Sequence, residues 1–130
     1  MKLKRVVVTG LGALTPLGNT VSEYWNGLIT GTSGAAPITR FDASKFKTRF
    51  ACEVKNFDPG TILDRKEARK LDLFSQFGLA VAIEAIEDSG VVAHPSFNPD
   101  RVGVIWAAGI GGLRTFWEEA MNFSKGDGTP

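Results

Sequence analysis

Residues 77–86 of this 130-residue chain read FGLAVAIEAI, and Glu84 is the only polar side chain in the run. A helix that is apolar nearly all round belongs inside a protein, with packing on several sides. The run is well short of the roughly 20 residues needed to cross a bilayer. Residues 64–90, DRKEARKLDLFSQFGLAVAIEAIEDSG, are therefore predicted to form one buried helix that stops at Ser89-Gly90. The rest of the chain has to supply the layers that cover it.

The front of this stretch differs in character. Asp64 suits an N-cap, and Glu67 three residues later can close a capping box. Arg65, Lys66, Arg69 and Lys70 then crowd the first turns, where the helix dipole favours acids. Each misplaced, exposed cation there costs about 0.3–1 kcal/mol. Spacings 65/69, 66/69 and 66/70 place the four on one side, with like charges at i,i+4 adding strain. Such a cluster reads either as an anion-docking face or as a solvated basic turn, and spacing does not choose between them.

The elements before and after the helix define the fold class. Residues 5–12, rich in valine, and residues 101–108, RVGVIWAA, are continuous apolar runs of the kind found in strands buried on both faces of a parallel sheet. Thr20 and Glu23 form a capping box ahead of a helix whose stripe is Val21, Tyr24, Trp25 and Leu28, with Gly31 as its C′ residue. Residues 31–47 read as loop. Phe50, Cys52 and Val54 alternate with Ala51, Glu53 and Lys55, as in a half-exposed edge strand. Residues 94–100 hold two prolines and read as a surface loop. After the turn Gly109-Ile110-Gly111-Gly112, the residues Leu113, Phe116, Trp117, Ala120 and Met121 form a helical stripe ended by Gly126. Strand and helix alternate three times, which implies an α/β fold with a mostly parallel sheet. Two buried-type strands and an all-round apolar helix ask for more cover than two amphipathic helices give. The chain is accordingly expected to be the first part of a larger protein, with residues 1–130 an incomplete domain.

Charge and cysteine content narrow the function classes. Residues 1–70 carry 12 Lys/Arg against 6 Asp/Glu, a balance of +6; residues 71–130 carry 3 against 8, a balance of −5. The whole is +1, unlike a nucleic-acid-binding domain with its strongly basic surface. A single cysteine permits no internal disulfide and suits a reducing compartment. The opening MKLKRVVVTGLG offers a three-valine run, too short for a secretory core. A cytoplasmic setting without membrane contact is expected.

The residues present cannot run a covalent mechanism. Cys52, the only thiol, lies mid-strand beside Glu53 and reads as a small core side chain; His94, the only histidine, reads as a surface residue. No Cys/His spacing suggests zinc, and no cofactor is indicated. Gly10-Leu11-Gly12 has Thr15 where a third glycine belongs, and Gly109-Ile110-Gly111 has Arg114 there. Both fail the dinucleotide pattern, and no phosphate-loop lysine follows either. The glycines at 109, 111 and 112 serve either a tight turn or the close approach of a ligand, with Ile110 as an apolar wall.

Several motifs nevertheless fall in a recognisable order: VVVTGLGALTPLGNTV, the GTSG of residues 31–34, Phe41-Asp42, RKEARKLDLFSQFGLAVAIEAIEDSG and GIGGL at 109–113. Together they resemble the beta-ketoacyl-acyl-carrier-protein synthase II family, the elongating condensing enzymes of bacterial type II fatty acid synthesis. The resemblance covers essentially the whole chain. It implies the N-terminal part of a thiolase-like fold, layered αβαβα with helices on both faces of the sheet, in an acyltransferase that works as a homodimer. It implies acyl carrier protein as partner, and a nucleophilic cysteine and two histidines beyond residue 130, so that no residue here is catalytic. Lys66, Arg69 and Lys70, with Arg65 adjoining, align with carrier-protein docking residues. Ile110 aligns with the apolar residue that lines and gates the acyl pocket. Two other readings stay open: a ketosynthase-like partner without the cysteine, such as a chain-length factor, and a Rossmann oxidoreductase.

Overall fold

The computed structural model describes residue 3 and residues 5–126. The elements, in chain order, are α1 (Val21–Ile29), β1 (Ala36–Pro37), β2 (Phe50–Ala51), α2 (Arg65–Ala68), α3 (Leu73–Ser89) and α4 (Leu113–Lys125). Single 3-10 turns lie at Pro59–Thr61, Val91–Ala93 and Pro99–Arg101.

Local signals place the helix ends as expected. The Thr20 hydroxyl accepts from the Glu23 N–H at 3.2 Å and caps α1. The Glu23 carboxylate reaches one residue further back than a capping box requires and accepts from the Asn19 N–H at 2.7 Å. At the other end Gly31 takes φ +66°, its N–H bonds the Leu28 carbonyl, and the Thr32 N–H bonds the Gly27 carbonyl. This pair of bonds is a complete Schellman motif. Gly90, at φ +60°, ends α3 in the left-handed region, and Gly126 ends α4.

Residues 64–90 do not form one helix. The chain breaks between Ala68 and Leu73, giving the single turn α2 and the 17-residue α3. Side chains hold the break open. The Gln76 amide donates to the carbonyls of Ala68 (2.8 Å) and Leu71 (2.9 Å), satisfying acceptors that a continuous helix would have bonded internally.

The centre of the fold is the contact between residues 10–21 and α3. Gly10 and Gly12 lie flat on that helix, where an added Cβ would run into the carbonyls of Ala85 and Val81. Glu84 fixes this contact. One carboxylate oxygen accepts from the Ala13 N–H and the other from the Val21 N–H, each at 2.8 Å. Val21 opens α1, so an anion also meets the positive end of that helix. Asp88 adds a bond from the Leu11 N–H at 2.9 Å.

Other expectations are corrected. No residue of α3 is buried; most are partly covered, and Phe74, Leu79 and Ile86 are exposed. Residues 5–12 and 101–108 join no sheet, and Ile105 is 98% exposed. The sheet found among the described residues is the two-stranded antiparallel β1–β2 pair, in which Ala36 faces Ala51. Its first strand lies in the stretch read as loop. A strand forms only where a neighbour lies about 4.8 Å away to share its ladder, and neither apolar run has one among the described residues. The α4 stripe is likewise uncovered, with Phe116 73% exposed, and so are Trp25 and Leu28 of α1. Ala43, Ala68 and Gly27 are the buried apolar positions among the described residues.

The expected inward face of the Phe50 strand is reversed over residues 50–53, while Val54 stays half-buried and Lys55 exposed as the alternation implies. Phe50 and Cys52 are exposed, while Ala51 and Glu53 turn inward. The phase follows from Glu53, whose carboxylate accepts from the Thr39 hydroxyl at 2.7 Å and from the Thr39 N–H at 3.2 Å. Cys52 is therefore not a core side chain. The Thr39 hydroxyl bond, with smaller help from the Thr39 and Arg40 N–H groups and the Arg40 charge, holds the Glu53 carboxyl below its ordinary value.

Two expected outcomes follow from these contacts. Glu84→Leu strands two N–H donors and is expected to destabilise the protein by about 2–4 kcal/mol in urea denaturation, whereas Glu84→Gln, which keeps a carbonyl oxygen, costs less; equal losses would deny the carboxylate its clamping role. A depressed Glu53 pKa means that its contribution to stability is present above the unfolded value and lost as pH falls through the folded one. Thr39→Val should raise the Glu53 midpoint towards the ordinary carboxylate value in an NMR carboxyl titration, and an unmoved midpoint would refute the assignment.

Candidate functional site

The basic segment is built on α2. Asp64 Oδ1 accepts from the Lys66 N–H at 2.6 Å and the Glu67 N–H at 3.1 Å, which sets this turn on its cap. Glu67 does not complete the reciprocal bond of a capping box. Its Oε1 instead takes Lys70 Nζ at 2.6 Å, an exposed i,i+3 pair worth about 0.2–0.5 kcal/mol. Arg65, Lys66 and Arg69 are exposed and have no carboxylate within salt-bridge reach among the described residues. Because α2 is one turn long, Arg69 stands at its C-cap and Lys70 beyond it. The expected dipole penalty therefore does not apply to these two, which sit where cations are favoured. Three uncompensated cations remain beside one paired lysine on a short, well-anchored turn.

Ile110 lies elsewhere, on the turn leading into α4. It is 76% exposed. The glycines around it act mainly in the turn itself. Gly112 takes φ +67° ahead of Leu113, and Gly111 lies against the Phe74 ring with no room for a Cβ. An apolar cleft of about 280 Å³ runs nearby, lined by Phe74, Gly78, Leu79, Val104 and Trp106 among others, and Ile110 is not one of its walls. The structure thus places the four cations on and just after α2, and Ile110 on the turn before α4.

The two turns are nonetheless joined. Asp72 precedes α3 without capping it; its carboxylate accepts a hydrogen bond from the Thr115 hydroxyl in the first turn of α4. Its other oxygen sits against Gly112, and Phe74 covers Gly111. Sequence reasoning missed Asp72 and Thr115, because they meet across 43 residues of chain, and Gln76, because its carbonyl partners, 8 and 5 residues away, come free only where the helix breaks. Glu84 was legible in principle: a lone carboxylate in an apolar run needs donors to offset its desolvation.

No catalytic arrangement appears among the described residues. Cys52 and His94 are both exposed, and the His94 ring accepts from the Ser96 N–H within its own loop. No group of three or more metal-ligating side chains is present among the described residues. Gly10 and Gly12 pack on α3, a use that accounts for the first glycine pair without any nucleotide. No described helix is long and apolar enough to cross a membrane.

Comparison with known proteins agrees with the motif order. Residues 3–129 match the family model described as beta-ketoacyl synthase, N-terminal domain. A protein named 3-oxoacyl-[acyl-carrier-protein] synthase 2 from Synechocystis is 49% identical over 119 residues, which cover 92% of this chain and 28% of that protein. The protein of the same name from Coxiella burnetii is 52% identical over 113 residues, covering 87% of this chain and 27% of the relative. Among solved structures, the ishigamide ketosynthase/chain length factor superposes with a TM-score of 0.61 at 37% identity, over 75% of this chain and 23% of that one. The chain thus spans little more than a quarter of the length of the curated relatives it matches. The fold class is that of the thiolase-like ketosynthases, and the antiparallel pair and four helices described above are its α and β elements in this chain. The chain belongs to the beta-ketoacyl synthase family, whose N-terminal domain its sequence matches almost from end to end.

Proposed function

We propose that this chain is the N-terminal part of an elongating beta-ketoacyl-acyl-carrier-protein synthase, a cytoplasmic homodimer, and that it contributes protein recognition rather than reactive groups. The observation that carries this reading is the family match over residues 3–129, at about half identity to synthases of that name. The uncovered apolar surfaces support it. The runs at 5–12 and 101–108 and the stripe of α4 are what remains exposed when a larger layered fold is represented by about a quarter of its length. By itself the chain is expected to be inactive.

In the complete synthase, an acyl group would pass from its carrier protein to a cysteine, malonyl-carrier protein would lose carbon dioxide, and the resulting carbanion would attack the acyl thioester. The chemistry of this chain supports a role before that step. Arg65, Lys66, Arg69 and Lys70 form a positive face suited to an acidic helical carrier protein, steering its approach and losing strength as salt rises. Reversal of Lys66, Arg69 and Lys70 to Glu is expected to raise KM for carrier-protein substrates at least tenfold, by the loss of over about 1.4 kcal/mol of attraction. Small acyl thioesters should be turned over nearly as before. Equal losses for both substrate types would remove the docking role.

Ile110 is proposed as a wall of the acyl pocket in the complete synthase. A larger side chain narrows such a pocket, and one methylene is worth about 1–3 kcal/mol of discrimination there. Ile110→Phe is thus expected to shorten the acyl chains accepted, read as the product-length profile; an unchanged profile would exclude Ile110 from the pocket.

A second reading, a non-catalytic chain-length factor, is favoured by one observation: a structural neighbour is the ishigamide ketosynthase/chain length factor. The residue at the nucleophile position of the complete protein separates the two. Cysteine supports the synthase, and glutamine or another residue supports the factor.

A further inference from the structure

The turn that carries Ile110 is fastened to the segment that carries the basic face, and the fastening is made by side chains. From the docking side, the Gln76 amide holds the Ala68 and Leu71 carbonyls, so α2 cannot swing independently of α3. From the turn side, two separate contacts reach the same end of α3. The Thr115 hydroxyl donates to the Asp72 carboxylate across 43 residues of sequence, and the Phe74 ring lies on Gly111 at a distance that excludes any side chain there. Gly112, held at φ +67°, sits against the second Asp72 oxygen. Just before these anchors in the chain, Ile110 is exposed and flanked by glycines, which restrict the backbone least of all residues. Nothing intrinsic to residues 109–112 fixes where Ile110 points. The contacts that hold the turn, all on its C-terminal side, come from Asp72, Phe74 and Thr115.

We infer that Thr115, through its bond to Asp72, is a positioning residue for acyl-length selectivity: it holds the glycine-rich turn so that Ile110 presents a fixed wall. This rests on the reading of Ile110 as an acyl-pocket residue. A wall on a loosened turn yields to chains of different length and discriminates less between them. A carboxylate–hydroxyl bond is suited to the task, because a charged acceptor makes the bond stronger and more directional than a neutral pair.

The test uses the complete synthase with Thr115→Val, which removes the hydroxyl at nearly constant shape, Thr115→Ser, which keeps it, and Ile110→Phe as a control. The readout is the ratio of kcat/KM for the preferred acyl-carrier protein to that for one four carbons shorter. Thr115→Val is expected to bring this ratio about fivefold closer to one, with kcat on the shorter chain nearly unchanged, and Thr115→Ser to restore it. An unchanged ratio in Thr115→Val overturns the inference, as does equal loss on all chain lengths, which marks a merely structural residue. A serine variant that behaves like the valine one also overturns it, since the hydroxyl would then not matter. If Ile110→Phe shifts the profile while Thr115→Val does not, the inference alone falls. If neither shifts it, the pocket reading of Ile110 falls too.

Discussion

The described structure depends on one carboxylate. Glu84 sits in the middle of α3 and accepts from two backbone N–H groups, those of Ala13 and Val21, which belong to different parts of the N-terminal segment. Through the first it holds the glycine-rich stretch against α3; through the second it holds the start of α1. Gly10 and Gly12 make the approach close enough for those bonds, because they put no Cβ between the two backbones. Polar bonds of this kind are directional, so they fix register where apolar contact alone would let the segment slide. The same logic recurs at the other end of α3, where Asp72 and Gln76 tie α4 and α2 to the helix.

Apolar burial contributes much less than the composition suggests. With 43% apolar residues the chain has ample material for a core, yet its two most apolar extended runs and the stripe of α4 face outward. Such surface has a driving force of about 25 cal/mol for each Å² removed from water, and exposed patches on this scale mark places where another layer docks. The relatives, several times longer than this chain, have residues to provide that layer. Exposed cations on α2 and unpaired apolar segments are thus both left on the surface of this chain.

Much of the local structure was legible from neighbouring residues. Thr20, Gly31, Asp64, Gly90 and Gly126 all act where their chemistry indicates, since a cap involves groups within a few positions of each other. The break after Ala68 was not legible. Residues 65–71 have good helix propensity, and the Gln76 amide that holds the break open bonds carbonyls that a continuous helix would have used itself. The Cys52 face was misread for a similar reason. Alternation shows that a strand has two faces, but the Thr39–Glu53 bond decides which one turns in. The four basic residues and Ile110 were visible as types; the Asp72–Thr115 bond that links their two segments was not.

The sequence by itself determined the family, the capped helix ends at Thr20, Gly31, Asp64, Gly90 and Gly126, and the sign of the charge on α2, because motif order, caps and charge are properties of the chain read locally. Tertiary structure alone decided that residues 64–90 bend into two helices, that Glu84 clamps two distant amides and that the Ile110 turn is anchored at Asp72. The bend rests on Gln76 bonds to carbonyls 5 and 8 residues away. The clamp and the anchor depend on bonds between residues 43 to 71 positions apart, whose cost in chain entropy is met only when the elements have already come together.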